Sequence, residues 1–183
     1  LIDDSGVIAV TTDKDTMATL TIGDEVILKG NRTKKWNEKT FEHFGQTTIS
    51  DCVVLVNNHG NHEYSEQTFV KDKTIADLKE LSVAEDHTAT VYVVDVFVNV
   101  VNKGNNSSVI QLKASNADDA QYLELYCSGI AQYAWLNEFD QKTVKMELAL
   151  CNWNDKQFYK SCVLAVYNED GTKTPNTLNF TNK

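Results

Sequence analysis

Residues 88–101 read TATVYVVDVFVNVV. Val, Thr, Tyr and Phe dominate the stretch, which suits a pleated strand. Side chains alternate between the two faces of a strand. Here Val91, Val93 and Phe97 fall on one side, and Tyr92, Val94, Val96 and Val98 on the other. Both faces therefore need cover. A lone hairpin or a three-stranded sheet covers only one, so the stretch reads as the long, curved first strand of a small closed barrel.

The chain on either side fits that reading. Upstream, KTIADLKELS (73–82) spaces Ile75, Leu78 and Leu81 as one apolar helical face, with Lys73, Asp77 and Lys79 on the polar side. Downstream, SVIQLKAS (108–115), QYLELYCS (121–128), TVKMELAL (143–150) and KSCVLAV (160–166) read as strands, and AWLNEF (134–139) as a helical turn between them. Nearer the start, VIAVTT (7–12), DEVILKG (24–30) and TTISDCVVLV (47–56) read as further strands. Turn residues cluster in DDSG (3–6), KGNN (103–106), NADD (116–119) and EDG (169–171).

The chain also repeats itself. WNEKTF (36–41) returns as WNDKQF (153–158). At nearly the same separation, SDCVVLV (50–56) matches KSCVLAV (160–166), which aligns Cys52 with Cys162, and IDDSGVIAV (2–10) matches ADDAQYLEL (117–125). The competing explanation is chance similarity between β-rich stretches. A repeat divides the chain into unit one, residues 1–68, and unit two, residues 69–183 with the tail. Unit one then starts in mid-pattern, without the helix, first strand and most of the second strand of unit two. An open sheet edge exposes unpaired N–H and C=O groups. Either the natural chain extends upstream or another segment supplies the strands. TLNF (177–180), in the tail TKTPNTLNFTNK (172–183), is a candidate to pair with that edge. The start at Leu1, with no signal-peptide core, reads as a processed chain or a piece of a longer one.

On these features the chain resembles the OB-fold domains found in tandem in bacterial secreted and surface proteins, often beside nuclease domains. In unit two the features are TIADLKELS leading into TATVYVVDVFV, then the acidic turn at Asp118 and Asp119. In unit one they are DDSGVIAV, then TIGDEVILKGNRTKKWNEKTF and a valine-rich last strand. Unit one keeps GDEV (23–26), whereas unit two has FDQKTV (139–144) and a longer 128–140 stretch. The resemblance covers most of the chain and rests on pattern, not on a catalytic motif. It implies an all-β fold class: two tandem OB-like five-stranded barrels, the first lacking its N-terminal strands, with a short helix at the start of the second. It also implies an extracellular or cell-surface location, additional domains in the parent chain, and ligands held beside the loops that join strands 1–2 and 4–5.

The repeated hexapeptides fall in the loop between strands 4 and 5. In unit one Lys29, Arg32, Lys34, Lys35 and Lys39 crowd around Trp36 and Phe41; unit two offers Trp153, Lys156, Phe158, Tyr159 and Lys160. Interleaved cations and rings suit a single-stranded nucleic acid, because lysines meet phosphates while bases stack on aromatics. Sugars stack on such rings too. The structural alternative is that Trp and Phe clamp the two strands of a hairpin.

Composition and the remaining motifs narrow the chemistry. The net charge is −9, which argues against a dedicated nucleic-acid binder but not against a local basic patch. No apolar run approaches the roughly 18 residues of a membrane span, so no membrane insertion is expected. The cysteines Cys52, Cys127, Cys151 and Cys162 have no CxxC spacing and read as buried strand thiols. HGNHE (59–63) resembles one metal-binding block of the metallophosphoesterases, through His59, His62 and Glu63, but that family also needs DxH and GDxxD blocks. GDEVI (23–27) lacks the second aspartate and no DxH occurs. No metal and no cofactor are expected. Acidic residues fall in turns and on the solvent side of strands, and no GxSxG appears. The expectation is a non-catalytic binding module whose partner is single-stranded nucleic acid, glycan or protein. Spacer barrels without a ligand are the alternative, and a metal-dependent hydrolase ranks last.

Overall fold

The computed structural model describes residues 1–37, 42–60, 63–81, 89–104, 107–117, 122–125, 135–152 and 159–176. It is mostly strand. In chain order the elements are β1 (Ile2–Asp3), β2 (Gly6–Val7), β3 (Ala9–Val10), α1 (Lys14–Ala18), β4 (Glu25–Asn37), β5 (Glu42–Asn58), α2 (Ile75–Leu81), β6 (Thr90–Gly104), β7 (Ser107–Lys113), β8 (Tyr122–Leu125), β9 (Thr143–Asn152), β10 (Tyr159–Tyr167) and β11 (Lys173–Pro175), with a 3-10 turn at Asn137–Phe139 before β9.

The valine-rich stretch is β6, and it serves two partners. Residues Thr90–Phe97 pair with β9, and Phe97–Gly104 pair with β7. The resulting sheet has the order β11-β10-β9-β6-β7-β8. One face of β6, carrying Tyr92, Val94, Val96 and Val98, lies in the main core with Ile110, Leu112, Met146 and Leu148. Helix α2 closes that core with Ile75 and Leu78, as the helical spacing predicts. It is started by a reciprocal capping box: Thr74 Oγ1 accepts from the Asp77 N–H at 3.2 Å, and Asp77 Oδ2 accepts from the Thr74 N–H at 2.8 Å.

Both faces of β6 are covered, but not by closure. Among the described residues no hydrogen-bonded pairing joins β8 to β10, although the two strands approach each other. The expected closed barrel is thus an open, curled sheet. Val91, on the second face, packs with Ile22, Phe69 and Leu164, and Ile2, Val7 and Tyr64 flank them. Residues from the start of the chain and from the segment before α2 bury the face that closure was expected to bury. Full burial of one such valine stabilises the fold by roughly 1.5–3 kcal/mol.

A three-stranded sheet of order β3-β5-β4 lies upstream, with β3 parallel to β5 (Ala9 beside Thr48, Val10 beside Ile49) and β4 antiparallel to it. Residues 7–12 do not form the single strand that their apolar alternation predicts. The Asp3 carboxylate accepts from the N–H groups of Ser5 and Gly6 and folds β1 back on β2. The Asp13 carboxylate then caps α1, accepting from the Thr16 N–H at 2.9 Å and its hydroxyl at 2.7 Å. Side-chain acceptors at both ends cut the extended run short.

The hairpins β4–β5 and β9–β10 share a design. Each is preceded by a residue with positive φ, Gly23 (91°) or Gln141 (59°), two places before its first strand. The first repeated hexapeptide begins inside β4, at Trp36 and Asn37, whereas the second falls wholly between the ends of β9 and β10. The return strand of each carries a bulged leucine three residues before its end, Leu55 in β5 and Leu164 in β10. Matching the bulges places Cys52 one step out of line with Cys162, so the cysteine alignment read from sequence is off by one.

The described part of the tail, residues 172–176, lies against β10. Strand β11 pairs with β10 after a turn at Asn168–Thr172, where Gly171 has a φ of 83°. Asn176 is buried and holds β10 twice, from its N–H to the Leu164 carbonyl and from Nδ2 to the Val163 carbonyl, both at 2.8 Å. Residues 177–180, nominated for the edge of unit one, lie outside the described residues. Among the described residues no strand pairs with the outer edge of β4. No described helix is long and apolar enough to cross a membrane.

Candidate binding surface

Strand β4 gathers the unit-one candidates. Lys29, Arg32 and Lys34 are all exposed along it, and Lys35 and Trp36 follow at its far end, opposite Phe44 and His43 of β5. Residues 29–37 (KGNRTKKWN) contain no carboxylate. Across the hairpin, Glu42 lies opposite Asn37 at the far end of β4, and next to Ser50 sits the exposed Asp51, with a φ of 52° at a bulge. Its carboxylate accepts from Asn31 Nδ2 at 3.4 Å and Ser50 Oγ at 3.3 Å.

The close approach of β4 and β5 at this bulge depends on Gly30. A Cβ there would sit 2.7 Å from both Ile49 Cγ2 and the Ser50 carbonyl oxygen, and 2.8 Å from Cys52 Sγ. Cys52 is buried and Cys162 half-buried, and neither is in a disulfide. Burial, with the Asp51 carboxylate nearby, pushes the Cys52 thiol up. The other two cysteines are not described at side-chain level.

The remaining candidates are divided. Tyr159 and Lys160 begin β10, opposite Asn152 and Cys151, in the six-stranded sheet. They are therefore not on the sheet that carries Arg32 and Lys34. Lys39, Phe41, Trp153, Lys156 and Phe158 lie outside the described residues. The clamp of tryptophan on phenylalanine falls on these residues too. What the structure brings together is one strand of cations leading into the first hexapeptide.

His59 has a structural neighbour. Its Nδ1 is 3.1 Å from Asp24 Oδ2, and the same oxygen accepts from the Thr21 N–H at 2.9 Å. Burial raises the Asp24 pKa, but the Thr21 N–H and the His59 ring outweigh it and hold the carboxyl below the usual range. GDEV is thus a turn, fixed by its aspartate. No group of three metal-ligating side chains occurs among the described residues, and His62 lies outside them.

A buried ionic cluster lies elsewhere, unanticipated from sequence. Glu147 of β9 is fully buried, 0% exposed. The Tyr64 hydroxyl donates to its Oε2 at 2.5 Å, the Tyr167 hydroxyl to its Oε1 at 2.8 Å, and Lys173 Nζ to the same Oε1 at 3.0 Å. Lys173 also bonds Glu66 and lies 5.4 Å from the centre of the Tyr64 ring. Burial, then the hydrogen bonds to Glu147, push both phenols well above their usual range. They stay protonated as donors. Every oxygen of the carboxylate is used, so the cluster works as a staple. It ties the segment before α2 (Tyr64, Glu66) to β9, β10 and β11. Strand acids were expected on the solvent side. The one available signal was Glu147 standing between Met146 and Leu148 in an otherwise apolar run.

Compared with known proteins, the chain matches no family model, no curated protein and no solved structure.

Proposed function

We propose that the chain is a non-catalytic binding module of a larger secreted or surface protein, built from two OB-like units and taking single-stranded nucleic acid along β4. The OB-like reading is supported by connectivity. Strand β6 serves two partners in the order β10-β9-β6-β7-β8, with β8 turning back toward β10, as in a partly open five-stranded barrel. In unit one, β3, α1, β4 and β5 follow the order of β8, the helical turn, β9 and β10, with β3 parallel to β5.

The observation that carries the binding reading is that Lys29, Arg32 and Lys34 are all exposed on one strand, in a stretch of β4 free of carboxylates, on a chain of net charge −9. On an acidic chain, a local group of cations is where a polyanion is favoured. Fluorescence anisotropy with a labelled oligonucleotide tests this. Wild type binds, and the double variant Arg32→Glu, Lys34→Glu loses binding. Equal binding by both proteins sinks the assignment to β4. Binding of neutral glycans in place of oligonucleotides moves the ligand to another class.

A second reading, a rigid spacer without a ligand, is favoured by the Glu147 cluster, which fixes the connecting segment to the second sheet. It predicts no response to either ligand class.

A further inference from the structure

The outer face of the β4–β5 hairpin is apolar and bare. Ile27 is 56% exposed, Val53 58%, Leu55 58% and Val56 39%. Their register places them together: Val53 lies opposite Lys29, Val56 lies opposite Ile27, and Leu55 is the bulged residue between. Scattered exposed apolar residues are ordinary, but a contiguous group marks a contact. The bulge-matched residues of the second hairpin are Leu164 and Ala165, and both are buried. There Ile22 and Phe69 cover the face around Leu164. The same hairpin design is therefore covered on this side in one unit and open in the other.

The edge of β4 is guarded against strand addition. It carries Lys29, Arg32 and Lys34, and three register shifts interrupt its pairing with β5. Charges and bulges of this kind blunt sheet edges. The face is left as the contact.

The charges beside the patch are self-complementary. Glu25, Ile27 and Lys29 alternate along β4, all on the exposed side. Asn58 Nδ2 donates to Glu25 Oε2 at 2.8 Å and holds that carboxylate in place. A two-fold axis through Ile27 sets Glu25 of each copy against Lys29 of the other. A second copy turned about such an axis satisfies both charges twice, as a self-complementary surface does. We infer that the face formed by Ile27, Val53, Leu55 and Val56 is a self-association surface that packs against the same face of a second copy of this chain, with Glu25 and Lys29 paired across the axis. Lys29 enters both this inference and the ligand reading, but Arg32 and Lys34 lie outside the patch and Leu55 carries no charge for a ligand, so Arg32→Glu with Lys34→Glu and Leu55→Lys make the two fail separately.

Sedimentation velocity of the whole chain, from low to high micromolar loading, tests it. Wild type shifts from the mass of one chain to that of two. Leu55→Lys loses the shift while its circular dichroism spectrum and melting curve stay those of wild type, since the side chain is on the surface. Glu25→Lys and Lys29→Glu each weaken association at least tenfold, and the double swap restores it. The inference is overturned by a single-chain mass at every loading, by a dimer that survives Leu55→Lys, or by a double swap no better than either single variant.

Discussion

Glu147 shows what one residue decides. A carboxylate with no exposure is tolerated only because Lys173 neutralises it and two phenols fill its remaining acceptor sites. Glu147→Ala leaves Lys173 and both hydroxyls without their shared acceptor, so stability falls by about 3 kcal/mol, read from the midpoint of urea unfolding. An unchanged midpoint contradicts the staple. The cluster also predicts an alkaline limit. The phenols of Tyr64 and Tyr167 and the Lys173 amine have folded pKa values above their ordinary ones. Their contribution is complete below the unfolded values of about 10 and is lost as pH rises from there toward the folded values. Thermal melts should therefore fall steeply above about pH 10, and the fall should be shallower in Tyr64→Phe with Tyr167→Phe. Beyond Glu147 standing in an apolar run, this was not legible in the sequence, because the partners come from four separate segments and no local spacing links Tyr64 to Glu147. Asp24 was read as the first residue of a strand, DEVILKG; its role in the turn before β4 and its contact with His59 depend on the fold.

At the scale of elements, local chemistry was readable and its interruptions were not. Helix α2 announces itself through Thr74 and Asp77 as well as its apolar face. Thr74→Ala removes one half of the capping box and costs about 1 kcal/mol, which differential melting against wild type will show. The long strands β4, β5, β6, β9 and β10 were legible from alternation and β-branched content. Helix α1 was missed because residues 14–18, between the strands read at 7–12 and 24–30, have too short an apolar pattern to show a helix; its signal was the cap at Asp13. The bulges were invisible because they depend on the partner strand. Gly30 sits at one of them, and Gly30→Ala forces a Cβ against the Ser50 backbone oxygen at 2.7 Å. A loss of about 1–3 kcal/mol is expected, measured by chemical unfolding; a neutral substitution there removes the account of that strand approach.

For the whole molecule, the internal repeat was the most useful signal. Both hairpins it singled out carry a positive-φ residue two places before the first strand and a bulged leucine three residues before the end of the second. Barrel closure was inferred from β6 because both its faces are apolar. The second face is instead covered by Ile22 and Phe69, from segments too remote in sequence for periodicity to assign. The candidate site was legible as a run of cations, and the structure places Lys29, Arg32 and Lys34 together on one exposed strand. It places Tyr159 and Lys160, read from the sequence as unit-two candidates, in another sheet. The claim that β4 binds a polyanion is tested most directly by titrating a labelled single-stranded oligonucleotide at several salt concentrations. Three phosphate contacts predict a log–log slope of the binding constant against salt of about −2, and Arg32→Ala should make it shallower by about 0.7. No binding at low salt, or a slope unchanged in Arg32→Ala, would contradict the account.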